Sequence, residues 1–235
     1  MDQIRLNKFL AERLGLSRRE ADDAIAAGQV TINGKVATLG ARLDPANLDK
    51  IPKVCYNGNI VPFQTDFLYL AFNKPVGYVC SRRAQGSAPT LYELLPKEYQ
   101  KLKTVGRLDK DSSGLILLTN DGDFAFRMTH PKFQKEKIYE VELDRPLEPL
   151  HQQMISDYGV MLEDGPSRFT IIRGENSPYT VILREGRNRQ IRRTFAALGY
   201  KVEHLHRTTF GPFALTDLKP GEFALIPRKQ IQNML

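Results

Sequence analysis

Asp109 lies in the stretch "VGRLDKDSSGLILLTNDG", residues 105–122, two residues after Arg107, with Lys110 beside it and a second carboxylate at Asp111. A carboxylate among cations keeps its charge, and a charged carboxylate is what a nucleophile requires. The apolar run that follows, Leu115–Leu118, reads as a buried strand, so Asp109 falls in a loop at a strand end, where scaffolds present reacting groups. Three readings of it compete. Asp, Ser and Gly are ordinary turn residues. The run Asp109-Lys-Asp-Ser-Ser-Gly114 also matches the first half of a calcium-binding EF-hand loop. Its twelfth position, however, is Asn120 where a bidentate Glu belongs, and a β-type run follows in place of a helix. The third reading is catalysis.

Possible partners for Asp109 come from "LREGRNRQIRRTFAALGYKVEHLHR". Between Leu183 and Phe210 stand Arg184, Arg187, Arg189, Arg192, Arg193, Lys201 and Arg207 against Glu185 and Glu203, a local excess that makes up most of the chain's formal +7. Residues after Asn188 form a predicted helix stopped by Gly199. At 100° per residue, Ile191, Phe195 and Leu198 share its apolar face. Arg189 and Arg193 take the opposite side, free to meet solvent or phosphate. Arg192 is on the flank, able to reach into a cleft. In "KIYEVELD", Tyr139 shares a strand face with Val141 and Leu143, while Glu140 and Glu142 point away. Such a tyrosine is either a core residue with a satisfied hydroxyl or a ring on which a base stacks.

The elements that must position these groups are those of a mixed protein. The 235 residues are 41% hydrophobic, enough for one large or two smaller cores. "FLYLAF", "GLILLT", "KIYEVELD", "YTVIL" and "KVEHLHR" read as strands, and "LYELLP" as a short helix. No βαβ rhythm appears, so an α+β fold with a largely antiparallel sheet is expected. Cys55 and Cys80 have neither metal nor redox spacing, and no apolar run reaches membrane-spanning length. A soluble, cytoplasmic, monomeric protein is expected, with no metal. His204 and His206 alternate on a strand and read as surface or RNA contacts.

The first sixty or so residues differ in character. Ile4, Leu6, Phe9, Leu10 and Leu14 have helical spacing up to Gly15. Ser17 and Glu20 form a capping box at the start of a second helix that Gly28 closes, and Asn33-Gly34 suits a two-residue hairpin turn. Arg18 and Arg19 occupy the first turn of the second helix. Cations there oppose the helix dipole, but they also frame a phosphate-binding end; alternatively they pair with Asp22 and Asp23. "YNGNIVPFQTD", residues 56–66, reads as a linker, with a junction between 62 and 66.

"RLNKFLAERLGLSRREADDAIAAGQVTINGKVA" resembles the alpha-L (S4-like) RNA-binding motif over about residues 3–60. "GRLDKDSSGLILLTNDG", together with "NKPVGYVCS", "EKIYEVEL", "GVMLEDGPSRF" and "LREGRNRQIRRTFAALGYKVEHLHR" in order, resembles the RNA pseudouridine synthases of the ribosomal small-subunit type over about residues 67–230. The resemblances imply an alpha-L domain at 1–62 and a catalytic domain of the pseudouridine synthase fold at 67–235, acting on ribosomal RNA or a pre-ribosomal particle. They also imply site roles. Asp109 is the catalytic aspartate, and Arg107 fills the place of the flipped base. Tyr139 stacks on the target uracil, and Arg192 pairs with the Asp109 carboxylate. Arg187, Arg189 and Arg193 are expected to contact phosphates near the site, and Arg18 and Arg19 a separate RNA segment. Uridine isomerisation has no net redox change, so no cofactor is expected. A non-catalytic RNA-binding or ribosome-assembly protein is the alternative that the first domain alone would support. Some of these segments also resemble large-subunit enzymes, which leaves the ribosomal subunit and the role of Asp111 open.

Overall fold

The computed structural model describes residues 3–44, 52–63, 66–82, 86–173 and 178–232. It divides into two compact units, Met1–Leu68 with Asn120–Gly122, and Tyr69–Thr119 with Asp123–Leu235.

The first unit contains β1 (Ile4–Arg5), α1 (Leu6–Leu14), α2 (Arg18–Ala26), β2 (Val30–Ile32), β3 (Lys35–Val36), β4 (Arg42–Leu43), β5 (Val54–Tyr56) and β6 (Asn59–Ile60). Gly15 ends α1 by taking a left-handed φ of 72°, which costs glycine little. The capping box of α2 forms as its sequence requires: Glu20 N–H donates to Ser17 Oγ at 3.1 Å, and Ser17 N–H donates to Glu20 Oε2 at 2.6 Å. Phe9 and Leu10 of α1 and Ala21 and Ile25 of α2 bury against Val30 and Val54. Each large side chain so buried contributes about 1.5–3 kcal/mol.

The strands of this unit run in the order β3-β2-β5-β6. Asn33 and Gly34 both have positive φ, the condition for the tight hairpin expected there. The linker expected at 56–66 is corrected. Its first half is a second hairpin, β5–β6, turning at Asn57 (φ 49°) and Gly58 (φ 80°). Val61 is buried in the unit's core, and the Phe63 ring centroid lies 4.6 Å from that of Phe9. The sequence "YNGN" carries the same Asn-Gly signal as "INGK", but the Pro and polar residues around it mask the pattern. Gln64 and Thr65 lie outside the described residues.

The second unit contains β7 (Tyr69–Lys74), β8 (Lys103–Val105), β9 (Ser113–Thr119), α3 (Gly122–Thr129), β10 (Lys137–Leu143), α4 (Pro149–Gln153), β11 (Val160–Leu162), β12 (Gly165–Ser167), β13 (Thr170–Arg173), β14 (Tyr179–Leu183), α5 (Gln190–Ala197), β15 (Val202–Phe210), β16 (Phe213–Ala214) and β17 (Phe223–Leu225). One sheet runs β13-β14-β10-β15-β9-β7-β17, with β16 added on β15 and β8 on β9. Its strand pairs are antiparallel except β9 with β15, so the sheet is mixed and largely antiparallel, and the protein is α+β. "LYELLP" forms a single 3-10 turn at Leu91–Leu94.

The unbroken apolar run of β9 reflects its central place: Leu115, Ile116, Leu117 and Leu118 are all buried, as expected of a strand covered on both faces. Gly114 is required where β9 meets β15. It pairs with Arg207, and a Cβ on it would lie 2.3 Å from the Arg207 carbonyl oxygen. Only a residue without a side chain permits that approach.

Candidate active site

Asp109 is mounted on the loop from β8 to β9. Ser112 N–H donates to the Asp109 carbonyl at 3.1 Å, making the turn that Asp, Ser and Gly imply. Two further contacts fix the turn from outside. Gly77 N–H donates to Lys110 O at 2.7 Å. Lys74, fully buried, donates from Nζ to Ser112 O at 2.6 Å and Pro75 O at 2.9 Å. Burial lowers the Lys74 pKa, and the carboxylates of Asp109 and Asp111 oppose that shift. The "NKP" segment is therefore the buried anchor of the aspartate turn, a role its turn-like composition does not reveal.

The arginine contacts correct the expected pairing. Arg192 does not take the Asp109 carboxylate as its ion-pair partner. Its Nη2 donates to Asp111 O at 2.7 Å, its Nε is 3.4 Å from Asp111 Oδ2, and its Nη1 donates to Val202 O at 2.8 Å. The arginine beside Asp109 is Arg189, with Nη1 3.7 Å from Asp109 Oδ2. Arg189 also holds Asp111 with two hydrogen bonds of 2.8 and 2.7 Å. Arg189 caps α5 with φ 46°, ψ 32°, an uncommon backbone for a residue with a side chain. From that position the guanidinium, exposed as helical geometry suggests, reaches the aspartate turn. Asp111 is thus the clasp between the turn and α5. The hydrogen bonds from Arg189 hold its pKa below the usual carboxylate value, outweighing partial burial, and the charge of Arg192 adds to the effect.

Arg187 and Arg193 are also committed. Arg193 grips Asp164 through two hydrogen bonds of 3.0 and 2.8 Å. Arg187 donates to Asp164 Oδ1 and O, both at 3.1 Å, to Gly165 O at 3.0 Å and to Pro166 O at 2.8 Å. Both arginines therefore brace the β11–β12 hairpin. Arg187, Arg189 and Arg193, the arginines expected at phosphates, are internally paired here, because the acids Asp111 and Asp164, distant in sequence, fold against them.

A cleft of about 330 Å³ opens in front of Asp109, and Arg107, Tyr139, Lys137 and Arg207 also line it. Met128 and Thr129, at the end of α3, contribute to its wall; this helix escaped the sequence reading because "GDFAFRMT" follows a turn signal without a clear cap. Tyr139 is buried, 7% exposed, on the cleft face of β10. Arg107 is exposed at the cleft. Burial, with the charge of Arg207 adding, pushes the Lys137 ammonium down to about 8, and Glu185 opposes the shift.

His206 corrects its surface assignment. It is half-buried, and its Nδ1 lies 2.8 Å from Ser113 Oγ. Burial lowers its pKa, which favours the neutral ring. His204 is exposed, 3.7 Å from Glu142. In the first unit, Arg18 and Arg19 are exposed in the first turn of α2. Among the described residues neither pairs with Asp22 or Asp23, and Asp22 instead accepts from Asn7 Nδ2 at 3.0 Å.

A two-unit α+β chain with this cleft is an enzyme of RNA modification by its family: it belongs to the RNA pseudouridylate synthase family, which it matches over residues 68–197. Residues 4–47 match the S4 domain. The chain is 38% identical to the ribosomal small subunit pseudouridine synthase A of Pasteurella multocida, over 97% of this chain and 98% of that protein. It is 35% identical to the ribosomal large subunit pseudouridine synthase B of Pseudomonas aeruginosa, over 97% of this chain but 60% of that longer protein. A crystal structure of a pseudouridylate synthase superposes with a TM-score of 0.70 at 32% identity, covering 99% of this chain and all of that one.

Proposed function

We propose that this protein converts a specific uridine of ribosomal RNA to pseudouridine, using Asp109 as the catalytic carboxylate. The observation that carries this reading is the shared cleft of Asp109, Tyr139 and Arg107, with the Asp109 turn clamped from both sides. The target uridine leaves its stack, which costs a few kcal/mol by the usual measure of base flipping. Arg107, exposed at the cleft, enters the vacated place. Tyr139 receives the uracil on its ring. Asp109 acts at the sugar, and Arg189, with Nη1 3.7 Å from its Oδ2, is its ion-pair partner. Arg192 acts one step further back, holding the turn through Asp111.

The first unit, proposed as an RNA-binding domain of residues 1–62, holds a second RNA segment through Arg18 and Arg19. Two linked sites raise the effective concentration of substrate at the cleft. Among the described residues no helix is long and apolar enough to cross a membrane. In this reading the protein acts as a monomer on cytoplasmic ribosomal RNA. The full-length match to small-subunit relatives, against 60% coverage of the large-subunit one, favours small-subunit RNA. Chemical mapping of pseudouridine in both ribosomal RNAs, from cells with and without the protein, tests the reading. One uridine is expected to lose its modification; an unchanged map overturns it.

A further inference from the structure

Arg207 is the one cleft arginine whose burial the Asp109 chemistry has not used. It is 2% exposed and sits on β15. Its register partner on β10 is Tyr139, so the two side chains leave the sheet on the same face as neighbours. Nε donates to Leu115 O at 2.8 Å, and the guanidinium carbon lies 4.7 Å from the Phe210 ring centroid. Its Nη2 is buried with no hydrogen-bond partner. Other guanidinium nitrogens in that condition belong to Arg13, Arg187 and Arg192, whose side chains are already paired with Glu12, Asp164 and Asp111. Arg207 forms no such ion pair among the described residues.

A buried cation with a free donor and no carboxylate is unfavourable unless something anionic completes it. The neighbourhood reinforces this. Lys137 Nζ stands 5.4 Å from the same Phe210 ring and, among the described residues, donates only to the carbonyls of Lys135 and Glu185, at 3.2 and 3.3 Å. The lowered lysine pKa reflects the same desolvated positive field. A backbone phosphate stays on the strand near the surface, where Arg107 is exposed. Arg207 is deeper, beside the tyrosine that receives the base, so the incoming ligand group it meets is the base itself.

The reaction supplies the missing negative charge. In uridine isomerisation the C1′–N1 bond breaks with its electron pair passing to the base. The uracil anion carries that charge on its carbonyl oxygens. The C1′–C5 bond then forms, C5 gives up its proton and N1 takes one, so nothing is oxidised or reduced. A donor left unpaired in the free enzyme, on a residue that lines the cleft, is available to charge that develops there. We propose that Arg207 is a catalytic residue, its Nη2 donating to a carbonyl oxygen of the flipped uracil and stabilising the uracil anion. The proposal rests on the pseudouridine synthase reading above.

The test is single-turnover cleavage of the N-glycosidic bond in ribosomal RNA carrying uridine or 5-fluorouridine at the target, with wild type, Arg207→Gln and Arg207→Lys. Fluorine withdraws electrons and makes the base a better leaving group, so it replaces part of what Arg207 supplies. Arg207→Gln is expected to slow uridine cleavage by about 10²–10³-fold, to slow 5-fluorouridine cleavage less, and to leave RNA affinity unchanged. Arg207→Lys, which keeps the charge and most of the volume, is expected to shift the ratio of the two rates in the same direction by a smaller factor. It carries the measurement if the glutamine variant does not fold. Equal slowing on both substrates, as a purely structural arginine would give, overturns the proposal, and so does no slowing. A wild-type protein inactive on every ribosomal uridine overturns the functional reading beneath it instead.

Discussion

Arg189 holds Asp111 through two hydrogen bonds of 2.8 and 2.7 Å while its Nη1 stands 3.7 Å from Asp109. One guanidinium thus serves two carboxylates two residues apart, tightly for the first and at ion-pair range for the second. The tight partner fixes where the arginine is. The loose partner carries no hydrogen bond to a side chain among the described residues, which suits the reacting role proposed for it.

Asp109→Asn separates mounting from chemistry. The turn is made by backbone groups, Ser112 N–H to Asp109 O and Lys74 Nζ to Ser112 O, and asparagine keeps them. The variant is expected to fold and to bind ribosomal RNA with wild-type affinity, yet form no pseudouridine. Mass-tagged mapping after incubation checks this, and appreciable turnover would remove Asp109 from its role.

Asp111→Asn tests the clasp. Losing the charge loosens Arg189 and Arg192 together, and a displacement of the aspartate turn by an ångström or so lowers kcat by about 10²-fold, with RNA affinity unchanged. Stability should respond to pH in a definite sense. The folded Asp111 carboxyl has a lowered pKa, so its contribution is present above the ordinary carboxylate value of about 3.9 and is lost as pH falls through the lower folded value. Urea midpoints of wild type and variant should differ at pH 7 and converge in acid. A gap that persists in acid would mean the asparagine acts through packing.

How much of this was legible follows from what kind of fact each was. The Asp109 turn, the Tyr139 face, the α2 capping box and the Asn33-Gly34 hairpin are local, and periodicity or turn chemistry specifies them. The flank position of Arg192 was readable too. Its choice of Asp111 was not, because helical geometry gives a direction without saying which of two nearby acids the fold delivers. Helical geometry turns Arg189 towards solvent, where it is exposed, but its left-handed cap position and its grip on Asp111 depend on how the turn folds against α5. Arg187 and Arg193 look free until the Asp164 turn folds against them. Arg207 counted only as one more cation, since burial depends on the β9–β15 pairing, a contact between segments some ninety residues apart in the chain.

Gly114→Ala tests that pairing. The added Cβ would meet the Arg207 carbonyl at 2.3 Å, and the residue's φ of 104° is strained for any side chain. Strands β9 and β15 must separate, at about 2–4 kcal/mol. Urea denaturation should show the loss. Activity should fall further than the folded fraction, because Asp109 and Arg207 are carried by the two strands being forced apart. A variant of wild-type stability would contradict the close approach.

Lys137→Met tests the desolvated positive field by stability. An unfolded lysine titrates near 10.4, while the folded one is pushed down to about 8. The unfolded state therefore binds the proton more readily, and the native state gains stability from this group as pH rises from about 8 towards about 10.4. Below that window the full unfavourable contribution is present. The methionine variant should be relatively more stable than wild type at pH 7, and the difference should shrink by pH 10. Thermal melts across this range check it, and a difference independent of pH would place Lys137 in an ordinary solvated setting.

Arg18→Ala combined with Arg19→Ala tests the first unit. Both side chains are exposed at the start of α2, where their charges oppose the helix dipole. Their removal should leave the helix at least as stable, since Ser17 and Glu20 supply its cap. Binding of ribosomal RNA should weaken, and the slope of log affinity against log salt should become shallower by about 1.4–1.8, as loss of two phosphate contacts requires. Single-turnover conversion at saturating protein should be unchanged, because neither arginine reaches the reacting base in this reading. A drop in that saturated rate would give the first unit a part in the chemical step, and an unchanged salt slope would show that other groups hold the RNA.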